Sequence, residues 1–259
     1  MQPSIELFAR QIEMIERVIW TLTFAAQLVL LVVLVGRDRA RRYPWFTAGI
    51  ALLTLRMMAE VLLSGRMAKL PLQVTLFTLR DLEVIVGLLV LVEMARRAFA
   101  GVQRSVWVVN TAGMLLVAGW LLYAFEPWPV WKNLPLDSLL SKLLLMQLAA
   151  HNGDVLVALL TVGLGVLVMF FGRHYKAGWR SHTQQIVIGL FAVAVSLLAL
   201  EVVILRTLHY TQAQSESVMR LRLSFAFAYQ LISLAAQVWW IAWLWRDEPG
   251  ATKPELTAE

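Results

Sequence analysis

The chain contains no cysteine. That excludes disulfides, thiolate metal sites and cysteine nucleophiles, and it leaves the redox state of the compartment unmarked. Charge is scarce: 15% of the 259 residues are Asp, Glu, Lys or Arg, where a soluble domain carries about a quarter. Motifs that announce chemistry are also missing. The sequence has no phosphate-binding G-x-x-x-x-G-K, no G-x-S-x-G nucleophile elbow and no H-E-x-x-H zinc helix,. The last apolar run, which carries Gln230 and Gln237, has no lysine for a retinal Schiff base. Of the four histidines only His151 lies deep in an apolar run, so two facing haem ligands are not expected either. No cofactor is expected.

What the chain has in excess is apolar sequence. Hydrophobic residues make up 59%, in runs such as Ile19 to Val35 and Val155 to Phe171. A hydrocarbon core about 30 Å thick takes about 20 apolar helical residues to cross. Only helices and closed barrels can cross it, because lipid offers backbone N–H and C=O groups no partner. Barrel strands would alternate in polarity, and these runs do not. The reading is an all-α membrane protein: a seven-transmembrane-helix bundle with its N-terminus extracytoplasmic and its C-terminus cytoplasmic. The expected spans are about 15–36, 44–64, 76–98, 105–124, 142–171, 183–208 and 218–245. Residues 1–14 read as a short N-terminal amphipathic helix, with Ser4 as N-cap and Ile5, Phe8 and Ile12 on one face,. The first run is expected to be retained. Glu6, Glu13 and Glu16 precede it, so it lacks a basic leader, and it ends in Arg37-Asp38-Arg39 without a cleavage site,. Residues 15–246 form one domain, and residues 247–259 read as a disordered cytoplasmic tail,.

The net charge of +6 is explained by topology better than by nucleic acid. Basic residues gather in alternate loops: Arg37, Arg39, Arg41 and Arg42, then Arg96, Arg97 and Arg104, then Arg173, Lys176 and Arg180. Such loops face the cytoplasm. Trp128 and Trp131 in the longest loop, and Trp239, Trp240, Trp243 and Trp245 near the last basic end, suit the headgroup layer,. The expected location is a multi-pass position in a bacterial inner membrane.

Ionisable residues inside spans are costly and are functional candidates by default. At about 1.5 Å per helical residue, Arg56, Glu60, Arg80, Asp81, Glu83, His151, Asp154, Glu201, Arg206 and Arg222 all fall in the outer half of the bundle. Arg56 and Glu60 are four apart and share a face. Arg80 and Glu83 are three apart. Gln147, His151 and Asp154 make a polar stripe, as do Arg222, Gln230, Ser233 and Gln237. The near balance of guanidinium and carboxylate groups fits an interhelical ion-pair network. It equally fits an outward-opening cavity for a small polar or zwitterionic ligand. His151 and Asp154 could present two ligands to a metal with Glu83 or Glu201 as a third, but only one histidine lies deep in a span and there are no thiols, so no metal site is expected,.

These features point first to a non-enzymatic sensor or ligand-binding component, or to a subunit of a membrane complex. The alternative is a small-solute or proton-coupled transporter, and a metal-dependent membrane hydrolase comes last. The expected partners are the lipid bilayer, a membrane or cytoplasmic protein that would carry any output, and a small polar ligand from the extracytoplasmic side.

Overall fold

In lipid an apolar run is stable only when its backbone is hydrogen-bonded internally, and the long runs are helical. The computed structural model describes residues 3–99, 113–121, 123, 139–171, 181–207 and 215–247. Among them are eight helices and no strand: α1 (Pro3–Gly36), α2 (Arg39–Arg42), α3 (Pro44–Leu63), α4 (Lys69–Ala98), α5 (113–121), α6 (Leu139–Phe171), α7 (His182–Thr207) and α8 (Ser215–Trp245). The protein is a multi-pass α-helical membrane protein.

The expectation of seven spans is corrected. Among the described residues five helical stretches are long and apolar enough to cross a membrane: Met14–Gly36, Pro44–Leu63, Ser141–Met169, His182–Thr207 and Ser217–Trp245. The third expected span coincides with α4, which has the length but not the composition. Arg80, Asp81 and Glu83 stand in its middle, and Glu93, Arg96 and Arg97 follow in its last turns. The fourth expected span, 105–124, is described only over its nine-residue helical part, α5, and residue 123. The loop with Trp128 and Trp131, the basic loop with Arg173, Lys176 and Arg180, and the tail from residue 248 lie outside the described residues. At the other end, α1 runs unbroken from Pro3 to Gly36, so the backbone of the N-terminal segment continues straight into the first span.

Six long helices close into a ring. α1 packs on α3, α3 on α4, α4 on α6, α6 on α7, α7 on α8, and α8 returns to α1. Close approach of α4 and α6 depends on glycine. A Cβ on Gly153 would stand 2.6 Å from a methyl of Val84, and one on Gly87 would stand 3.3 Å from a methyl of Val157. Each glycine accepts the other helix's valine, as small residues do where membrane helices meet.

The ring is filled at one end. The largest fully buried side chains, among them Leu30, Leu34, Tyr43, Met94, Ile186 and Leu244, sit toward the helix ends near the basic 37–42 segment. A polar latch joins α3, α4 and α7 there. The first N–H groups of a helix have no partner within it, and Glu93 of α4 fills that need for α3, its Oε2 accepting the Phe46 N–H at 3.1 Å. The other oxygen of Glu93 faces Arg97 at 3.5 Å. Arg97 donates to the Arg42 carbonyl and lies over the Tyr43 ring. The Tyr43 hydroxyl meets Thr183 Oγ1 at 3.1 Å. His182, expected in a loop, is instead the first residue of α7 and is buried. At the rim, Arg37 and Arg39 face Asp247, and Arg37 stacks on Trp245, tying α1 and the 39–42 turn to the end of α8.

Candidate functional site

Away from the latch the ring is not filled. It encloses a cavity of about 1040 Å³, with walls drawn from α1, α3, α4, α6, α7 and α8. Its middle is mainly apolar, with Ile50, Leu53, Val90, Val157 and Val193 among the lining side chains, interrupted by Thr161 on α6 and Ser233 on α8. Its two ends are polar, in different ways.

The end away from the latch is a girdle of charge. Arg56 on α3 holds Glu83 on α4, Nε to Oε1 at 2.6 Å. Arg80 on α4 holds Asp154 on α6 with two nitrogens on Oδ2, at 2.6 and 2.8 Å. All four side chains line the cavity, and so do Tyr229 and Gln230 of α8 and Glu16 and Arg17 of α1. Each pair is therefore both a strut between neighbouring helices and part of the wall. The pairs are not sealed. Arg56, Arg80 and Asp154 keep 34%, 37% and 29% of their side-chain surface exposed.

The end toward the latch is a floor of neutral polar groups: Gln27 on α1 with Gln237 and Trp240 on α8. All three are at most 6% exposed. Neither glutamine Oε1, nor the Trp240 indole nitrogen, finds a protein hydrogen-bond partner among the described residues. Trp240 is fixed by its surroundings. Its ring stands edge-on to Phe46, centroids 5.1 Å apart, and it packs so closely over Gly189 of α7 that any Cβ there would collide.

The structure divides the residues expected to cluster. Arg56, Arg80, Glu83, Asp154 and Gln230 come together around the cavity. Glu60 does not: it is exposed, and Arg56 turns to Glu83 on the next helix rather than to its own i+4 neighbour. Asp81 is half-buried and is not among the lining residues, although its charge feels Arg80 and Asp154. The His151–Asp154 stripe separates, since Asp154 binds Arg80 while His151 Nε2 faces Glu201 Oε2 at 3.8 Å. Gln147 of that stripe is exposed. Arg222 donates from Nε to Thr207 Oγ1 at 2.7 Å, joining α8 to the end of α7. Arg206 is exposed. Among the described residues no three acidic or histidine side chains gather as a metal-holding group.

Three participants were not singled out by sequence reasoning. Gln27 is an amide inside an otherwise apolar run, and the rule that polar residues in a span are candidates would have found it. Tyr229 carries no such signal. Trp240, expected at the headgroup layer beside Trp239 and Trp245, is the inward member of that cluster: it is buried while the other two are exposed. No protein-family model, curated protein or solved structure matches the chain.

Proposed function

We propose that the protein is a non-enzymatic, membrane-embedded ligand-binding component, a sensor or a binding subunit of a membrane complex, whose girdle receives a small zwitterionic group. The observation that carries this is the placement of two Arg–carboxylate pairs on one cavity wall. A carboxylate or guanidinium group can leave its partner cheaply only for another charge in the same geometry. A ligand with both signs can substitute for both halves of a pair, whereas an ion of one sign would strand the other half. A pair as open as Arg80–Asp154, with 37% and 29% of its side-chain surface exposed, is held by about 1 kcal/mol or less, so exchange is accessible there,.

Orientation follows from the arginines at the filled end. The rule that basic loops stay inside puts the latch toward the cytoplasm and the girdle toward the outside, where a ligand would arrive. The packed core beneath the cavity favours binding over passage through the bundle. The transporter reading draws on the His151–Glu201 pair, which has the chemistry of a proton relay.

The test uses purified full-length protein in nanodiscs, scanned for thermal stabilisation by betaines, phosphocholine and free amino acids. A ligand that binds only the folded state at about a hundred times its Kd adds about 2.7 kcal/mol. The expected result is saturable stabilisation that disappears in Arg80→Gln and Glu83→Gln. Absence of any shift across these classes, or a shift that both variants retain, overturns the proposal.

A further inference from the structure

The floor of the cavity has no part in the girdle's chemistry, yet it is built from side chains that are expensive to leave as they are. A buried polar group without a hydrogen bond costs about 1–3 kcal/mol. Gln27 and Gln237 each bury an amide oxygen with no protein partner among the described residues. They come from different helices, α1 and α8, which pack on each other, and both face the same cavity. Trp240, three residues beyond Gln237 on α8, closes that cavity from below.

Resting on the ligand-binding reading above, we propose that the Gln27–Gln237–Trp240 floor is a second subsite, and that the ligand is an elongated amphiphile. Its zwitterionic head sits in the girdle, an apolar chain fills the middle, and a neutral hydrogen-bond donor such as a hydroxyl or carboxamide reaches the floor. Three observations fix this class. The floor is neutral, and an unpaired charge at that depth would pay a far larger desolvation cost than a hydroxyl. The unpartnered glutamine oxygens call for a donor and the unpartnered Trp240 N–H for an acceptor, and a hydroxyl or carboxamide carries both,. Tyr229 at the girdle and Gln237 at the floor are eight residues apart on one helix, or about 12 Å, and facing the α8 stripe of Gln230 and Ser233 the wall between them is aliphatic, with Leu53, Val90, Val157 and Val193. That span is too long for a compact zwitterion to bridge and is suited to an alkyl chain.

The test compares alkyl betaines of graded chain length, each with and without a terminal hydroxyl, by equilibrium binding to the full chain in nanodiscs. One hydrogen bond gained contributes about 0.5–1.5 kcal/mol, so the hydroxylated member of the best length is expected to bind about three- to tenfold more tightly. That preference, read as the affinity ratio between the hydroxylated and plain members of one chain length, should vanish in Gln237→Leu and in Gln27→Leu. Gln27→Glu, a substitution that keeps the size, should weaken both series. If the betaines bind in an Arg80-dependent way but the terminal hydroxyl gives no advantage at any length, the floor is not a subsite while the girdle reading stands. If compact betaines bind as well as the best alkyl betaine, the elongated-ligand inference is overturned. If no betaine binds, the elongated-ligand inference is overturned, and the girdle reading falls with it only when phosphocholine and the free amino acids also give no thermal shift.

Discussion

Two charged regions of this molecule use the same groups to opposite ends. In the latch, Glu93 is 6% exposed, and each of its oxygens has a partner: the Phe46 N–H and Arg97. In the girdle, Asp154 is 29% exposed and gives one oxygen to Arg80, leaving the rest of its acceptor capacity facing the cavity. A carboxylate with both oxygens partnered and almost no exposed surface can only hold helices together. One with a free oxygen on an open wall can hold helices and still greet a newcomer. Placement of charge in the membrane does not separate structure from function here; completeness of partnering does.

The comparison can be broken most forcefully at the latch. Glu93→Ala strands the Phe46 amide and removes the Arg97 counter-charge, and breaking a buried pair costs about 3–5 kcal/mol. Equilibrium unfolding in mixed micelles should show a loss of that size, and Glu93→Gln, which can still accept from Phe46, should lose visibly less. A result equal to wild type for Glu93→Ala would remove the latch from the account of stability. Next in size is Gly153→Val. Overpacking costs about 1–3 kcal/mol, and pushing α6 from Val84 should also part Arg80 from Asp154. Its signature is a stability loss together with loss of ligand-dependent stabilisation. Tyr43→Phe deletes one hydrogen bond to Thr183 and should cost about 1 kcal/mol, read in the same unfolding assay.

The smallest stability effect is expected where the functional effect is greatest. Replacing both members of a girdle pair, Arg80→Gln with Asp154→Asn, should change stability by less than about 1 kcal/mol while abolishing the ligand-dependent thermal shift. A cost as large as that of Glu93→Ala would mean that girdle and latch are the same kind of structure, and the contrast between them would collapse.

The gross fold was legible because apolar run length is a one-dimensional property, and α1, α3, α6, α7 and α8 are all visible in it. α4 was misjudged for the same reason: an apolar stretch from Val84 to Val92 draws the eye past Arg80, Asp81 and Glu83, whose charges disqualify the helix as an apolar span. That Arg56, Arg80, Glu83 and Asp154 belong to one end of the bundle was readable from their positions along the runs, but their partners were not. Spacing along one helix joins Arg56 to Glu60, whereas the fold joins Arg56 to Glu83, because helix rotation is set by packing against neighbours such as Gly49 on Val86. The role of Glu93 was invisible for a related reason. A carboxylate that caps its own helix leaves a local pattern, and one that caps another helix leaves none.

The ring has a seam, and the seam joins α1 to α8. Consecutive helices can pair as each leaves the ribosome, but this contact must wait until the final wall segment is in the bilayer. Until then the compartment is a trough open sideways to lipid, with Gln27 on one bank and its counterpart Gln237 not yet made. The chamber is therefore a product of the last insertion step, and its two amide-bearing banks meet only when the first and last walls do.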